Sequence, residues 1–258
     1  MKYQVIASGS KGNLIYVEGK DARILIDAGI TLKSAKERTS IDFSKIDALL
    51  VTHEHSDHVS NLVTYLRKLN VTCYVSKESF TEIIRKRPQD NFEGVKVAFI
   101  EGNTKYKINS LTFMPLYLSH DTVNCFGFIF REDGKTLAYI ADTGFIPTPY
   151  VEMLKQVDHI IIEANHDIRM LEESTRPRVL KNRILSIEGH MSNVLCGEIL
   201  SEILKSGNCK MITLAHLSEE CNTPENAVDT VIDKIKERYI PIIRVAKQHE
   251  ALEMVEIW

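Results

Sequence analysis

The stretch Asp47-Ala48-Leu49-Leu50-Val51-Thr52-His53-Glu54-His55-Ser56-Asp57-His58 runs from an apolar hexapeptide straight into three histidines and an aspartate. The first half has the length and character of a buried strand. The second half packs imidazoles and a carboxylate, the usual ligands of zinc and similar divalent ions, into six residues. In a tight turn after a strand, His53 and His55 can point one way while Asp57 and His58 point another. That arrangement suits two metal ions better than one.

Working outward, three more ligand-type residues each follow a predicted strand: His120 after Leu111–Leu118, Asp142 after Thr136–Ile140, and His216 after Met211–Ala215. Residues at strand ends converge on one rim of a sheet, so they can meet although far apart in sequence. Further strands are expected at Tyr3–Ala7, Leu14–Val17, Ile24–Ile26, Thr72–Val75, Val95–Ile100, Gly127–Phe130, Ile160–Glu163 and Ile242–Ala246, the last of these closing the chain. Helical spacing of apolar residues predicts His58–Leu69, and helices are also expected at Lys77–Lys86, Met191–Lys205 and Pro224–Arg238. Thr223-Pro224 supplies an N-cap followed by proline in the first turn. No Pro/Gly/Ser linker or low-complexity tract interrupts the 258 residues, so one α/β domain spanning 1–258 is expected, with two sheet-forming halves. Strands and helices in this mixture suggest a layered sandwich, although composition leaves other α/β folds open.

Bulk properties narrow the class. A 44% hydrophobic content can fill a sizeable core, and a net charge of −3 excludes a strongly basic nucleic-acid coat. The five cysteines are odd in number and show no C-x-x-C spacing, which argues against a disulfide framework or a cysteine zinc knuckle. No apolar run reaches the length of a membrane span, and the N-terminus lacks a signal-peptide core. The expectation is a cytoplasmic protein with no membrane partner. Its oligomeric state is left open.

Together these residues resemble the metallo-β-lactamase superfamily. The likeness rests on Asp27 in Ile-Leu-Ile-Asp-Ala-Gly, His53-x-His55-x-Asp57-His58, His120, Asp142 in Ala-Asp-Thr-Gly, and His216, and it covers nearly the whole chain in order. It implies a four-layer αββα sandwich. It also implies two divalent ions, zinc or manganese. One would be held by His53, His55 and His120, the other by Asp57, His58 and His216, with Asp142 between them and Asp27 bracing the cluster from behind. The ions would activate a water for hydrolysis, with Asp57 orienting it.

Other motifs bear on the substrate. Ile-Ile-Glu163-Ala-Asn delivers an acid at a strand end, and Gly-His190-Met-Ser192-Asn193 opens a helix. These resemble elements of the superfamily's tRNA 3′-processing and β-CASP nucleases, in which an acid–histidine pair protonates the leaving oxygen. A carboxylate beside an imidazole raises its pKa and fixes its tautomer, which makes such a donor effective near neutral pH. Ser192 and Asn193 at the helix start could receive a phosphate, as could Ser8, Ser10 and Asn13 in the small-residue turn Ser-Gly-Ser-Lys-Gly-Asn. With His-Leu-Ser-x-x-Cys-Asn, this combination resembles the compact YycJ/WalJ-like branch. That likeness implies a 5′→3′ exonuclease, with DNA favoured over RNA. Met191 and Cys221 depart modestly from the branch pattern. The alternatives are an RNA-processing nuclease and a small-molecule hydrolase of a thioester, lactone or cyclic phosphate. A non-catalytic or redox scaffold is disfavoured because all seven ligand positions are filled. The cationic run Arg176–Arg183 reads equally as a nucleic-acid path or as a solvated helix face.

Overall fold

The strand entering the histidine cluster lies in the middle of a sheet, flanked on both sides by parallel partners. The computed structural model describes residues 1–236 and 239–258. Its first sheet contains β1 (Lys2–Ala7), β2 (Leu14–Glu18), β3 (Arg23–Ile26), β4 (Ala48–Leu50), β5 (Thr72–Val75) and β6 (Val97–Phe99). Its second contains β7 (Tyr106–Ile108), β8 (Leu111–Leu118), β9 (Cys125–Glu132), β10 (Lys135–Ile140), β11 (His159–Glu163), β12 (Met211–Ala215) and β13 (Ile242–Val245). β14 (Val255–Glu256) returns to the first sheet, which runs β14-β1-β2-β3-β4-β5-β6, while the second runs β13-β12-β11-β10-β9-β8-β7.

The two sheets face one another. Alternation along β9 turns Phe126, Phe128 and Phe130 inward, where they meet Phe113, Tyr139, Val5, Ile15, Ile24 and Leu50 in one apolar layer. The opposite face of the first sheet is covered by α1 (Leu32–Arg38), α2 (Ser56–Val59), α3 (Leu62–Leu69) and α4 (Lys77–Lys86), through Leu32, Val59, Leu62, Tyr65 and Ile83. On the second sheet, α5 (Thr148–Leu154), α8 (Asn193–Leu204) and α9 (Pro224–Lys234) cover Ile140, Ile160, Ile162 and Leu214. Between α5 and α8 lie two short helices, α6 (Ile168–Glu173) and α7 (Arg178–Ile184). The result is the expected four-layer αββα sandwich.

Several local expectations need correction. The helix read over His58–Leu69 is two helices. It breaks where Asn61 donates its backbone N–H to Ala28 O and its side chain to Gly29 O. That interruption ties the histidine turn to the end of β3. The final helix ends at Lys234 rather than Arg238, and residues 237–238 lie outside the described residues. β13 is not the last strand, because β14 pairs antiparallel with β1 at Tyr3↔Val255. Among the described residues, no helix is long and apolar enough to cross a membrane. All five cysteines are free and buried.

Candidate active site

Strand direction assembles the site. β10, β11 and β12 are parallel neighbours, so Asp142, Glu163 and His216 arrive together at their carboxyl ends. β8 runs the same way through its two antiparallel pairings and brings His120. In the facing sheet, parallel β3 and β4 deliver Asp27 and the turn containing His53, His55, Asp57 and His58. Crevices beyond the carboxyl ends of parallel strands are where α/β sheets bind ligands.

Asp27, Asp142 and His216 all have positive φ, at 64°, 56° and 55°. The left-handed region is costly for residues other than glycine. Here it bends the chain sharply at each strand end and turns the side chain back over the sheet rim.

Hydrogen bonds fix four imidazoles. A carboxylate or carbonyl oxygen can only accept, so the facing ring nitrogen must carry the proton. His58 Nδ1 donates to Asp27 Oδ2 at 2.7 Å, and His216 Nδ1 donates to Glu163 Oε1 at 3.0 Å. His190 Nδ1 donates to the same Glu163 oxygen at 2.7 Å, and His120 Nδ1 donates to Gly189 O at 3.1 Å. Thr52 supports both sides: its hydroxyl lies 3.0 Å from either Asp27 oxygen and 3.0 Å from His53 Nδ1. The Nε2 atoms of His58, His120 and His216 are thereby left as lone-pair donors. Such outer partners hold metal-binding imidazoles in orientation.

The inward atoms lack protein partners that would satisfy them. His53 Nε2, His216 Nε2 and Asp142 Oδ2 are buried without a hydrogen bond. Buried polar atoms are ordinarily paired, so this concentration of exceptions requires a missing partner. Among the described residues, four sets of donor atoms have all members within 4.8 Å of one another: His53, His55 and His120; Asp57, His58 and His216; His53, His58 and Asp142; and Asp142, Glu163, His190 and His216. A divalent cation fits both the spacing and the chemistry. Burial disfavours charge on Asp142, but His216 and His58 outweigh it and hold the carboxylate well below its ordinary pKa.

Glu163 is fully buried, and its second oxygen accepts from the backbone N–H of Thr143 at 2.9 Å and of Met191 at 3.3 Å. It therefore anchors His216 as well as His190, a double role the sequence did not suggest. His190 remains partly exposed beside the His120 and His216 rings.

The expected phosphate contacts divide. Ser10 is exposed and lines a cavity with His120, Asp121 and His190. Ser192 caps α8 by accepting from Leu195 N. Ser8, Asn13 and Asn193 are buried and hydrogen-bonded within the protein. Ser8 Oγ accepts from His216 N, Asn13 Nδ2 reaches Asp57 Oδ2 at 3.2 Å, and Asn193 pairs with Asn222. Thr52 and Asp121 went unread, although they directly adjoin the candidate ligands His53 and His120 in sequence, whereas Arg183 was read only as the end of a cationic run. Asp121 lies 3.5 Å from His120 Nε2 and 3.9 Å from His55 Nε2, and it pairs with Arg183.

A family model described as the beta-lactamase superfamily domain matches residues 22–210. The chain belongs to the metallo-β-lactamase superfamily. Within it, the chain is 30% identical over 244 residues to exodeoxyribonuclease YycJ of Bacillus anthracis, covering 92% of this chain and 90% of that protein. It is 30% identical over 240 residues to exodeoxyribonuclease WalJ of Streptococcus pneumoniae, covering 91% and 88%. The metallo-β-lactamase fold protein YhfI of Bacillus subtilis superposes with a TM-score of 0.74 at 18% identity, over 97% of this chain and 98% of that one. Human tRNase Z, short form, gives 0.67 at 14% identity, over 98% and 99%. The superfamily membership and the cluster make this chain a metal-dependent hydrolase.

Proposed function

We propose that this hydrolase is a two-metal phosphodiesterase that degrades DNA from its 5′ end. The observation that carries the reading is the Glu163–His190 pair, which adjoins Asp142 and His216 and adds an imidazole beyond the seven residues read as ion ligands. A metal-binding site alone could serve any superfamily reaction. A separate, carboxylate-anchored imidazole at its edge suits a reaction whose leaving oxygen needs a proton. The names of the YycJ and WalJ relatives, similar over nearly their whole length, support the same reading.

In this reading His53, His55 and His120 would hold one ion and Asp57, His58 and His216 the other, with Asp142 also available to the cluster. Bound there, the ions would supply Lewis acidity and a water of lowered pKa. Asp57, partly exposed beside His58, would orient the attacking water. Hydrolysis adds water across a P–O3′ bond, and the departing oxygen takes its proton from His190. Since His190 Nδ1 is bound to Glu163, Nε2 is the atom that donates. Asp27 and Glu163 hold the imidazoles in register throughout.

The adjoining cavity is about 120 Å³. Sites that bury a whole small molecule are typically about 300–1,000 Å³. The cavity therefore suits one group of a polymer rather than a thioester or lactone substrate. The test is digestion of end-labelled DNA and RNA, single- and double-stranded, with zinc, manganese or magnesium. Release of mononucleotides from 5′-ends of DNA, abolished by chelation, is expected. Intact DNA under every metal would overturn the proposal.

A further inference from the structure

The cavity beside His190 is lined by two cations from the α6–α7 region, Arg176 and Arg183, together with Ser10, Asn165 and Ser218. The cationic run that includes them resolves into distinct parts. Lys181 is buried, and its Nζ donates to the carbonyls of Glu172 and Ser174, holding α6 and α7 together. Arg178 points away to Glu172. Only Arg176 and Arg183 face the cavity.

Both arginines reach rim carboxylates through Nε alone: Arg176 to Glu220 at 2.7 Å, and Arg183 to Asp121. Their terminal N–H groups have no protein partner among the described residues. A guanidinium offers five donors in a planar fork suited to phosphate. Two such forks, with donors to spare on a cavity that has room for several waters, suit one tetrahedral dianion.

The position of the cavity sets the polarity. It lies on the side of His190, where the leaving oxygen departs. When a strand is cut one nucleotide from its 5′ end, the leaving 3′-oxygen belongs to the terminal nucleotide. The group one repeat further out is that nucleotide's own 5′-phosphate. We propose that Arg176 and Arg183 grip the terminal 5′-phosphate of the strand and so register the first phosphodiester against His190. This rests on the nuclease reading above. An added Cβ on Gly189 would lie 2.2 Å from Arg183 O and 2.3 Å from Ile184 O, so the end of α7, which carries Arg183, packs directly against the backbone beside His190.

The experiment compares kcat/KM for otherwise identical oligonucleotides carrying a 5′-phosphate or a 5′-hydroxyl, using metal-loaded full-length protein. The wild type is expected to prefer the phosphate. Arg176→Ala and Arg183→Ala should each shrink that preference about ten- to hundredfold, the effect of losing a charge-assisted contact. The loss should appear chiefly in KM, with Lys replacements restoring part of it. Arg178→Ala, on the outer face, should keep the wild-type ratio. A fold defect lowers both substrates together and leaves the ratio unchanged, and an unchanged ratio in both Ala variants overturns the proposal. A wild type that cuts DNA with no 5′-phosphate preference also overturns it while leaving the nuclease reading standing. A wild type that cuts no DNA removes both.

Discussion

At the scale of single residues, the site is governed by two buried carboxylates that hold histidines in place. Asp27 fixes His58, and Glu163 fixes both His216 and His190. For His190, burial works against the charged form, but the Glu163 carboxylate outweighs it and raises the pKa above the ordinary histidine value. The imidazole therefore keeps its proton to higher pH, and activity should fall on the alkaline side as that proton is lost. Glu163→Gln removes the raising influence, so the alkaline fall should move to lower pH. His190→Ala should remove that limb and cost about 10²- to 10⁴-fold in rate. The two variants differ in a second readout: Glu163→Gln also frees His216, so it alone should weaken metal retention on dialysis. An unchanged pH profile in Glu163→Gln would refute the assignment of the donor. The clustered histidines and acids were legible in sequence because their chemistry is explicit in the residue type. The internal duties of Ser8, Asn13 and Asn193 were not, because a polar side chain in a small-residue turn looks the same whether it faces solvent or a neighbouring backbone.

Among the elements, the turn after β3 and the short helix α2 are fitted to one another at backbone distance. Gly29 donates to Asn13 O, Asn13 donates to Asp57 O, and Ala28 donates to His58 O. A Cβ on Gly29 would lie 1.8 Å from Asp57 O, which no side-chain rotation can relieve. Gly29→Ala should therefore destabilise the protein by about 2–4 kcal/mol and displace Asp57 from the cluster. Thermal unfolding and metal content measure both effects, and a variant with wild-type stability would show that the turn has slack. Element legibility followed length and period. Strands entering the site declared themselves by apolar character, and Lys77–Lys86 was read to the residue. The break at Asn61 escaped because Val59, Leu62 and Leu66 keep helical spacing across it, while the interruption comes from hydrogen bonds to a distant turn. α6 and α7, six and seven residues long, bury little more than Leu171, Ile184 and the stem of Lys181, too few positions for a period to show.

Over the whole molecule, the partition of strands between sheets and the return of β14 to β1 depend on pairings between distant residues, for which local sequence carries no signal. What sequence did carry was the placement of ligand-type residues at strand ends, and that placement has a thermodynamic consequence. Asp57, His53 and His58 belong to one sheet, while His120, Asp142 and His216 belong to the other. Ions held by both groups would join the sheets across the rim of their shared core, where protein bonds such as Phe126 N to Thr52 O and His216 N to Ser8 Oγ already cross. An unfolded chain does not bring these ligands together, so binding favours the folded state by mass action. At a free ion concentration one hundred times its Kd, each site contributes about 2.7 kcal/mol. A domain of this size moves by about 2–4 °C per kcal/mol. Chelation should therefore lower Tm by about 5–10 °C for the first ion lost, with a further drop for a second, and re-addition of zinc or manganese should restore it. Asp142→Asn, with a weaker ligand where both sets meet, should blunt the metal-dependent shift. A Tm indifferent to chelation in the wild-type protein would mean that the cluster does not clamp the two sheets.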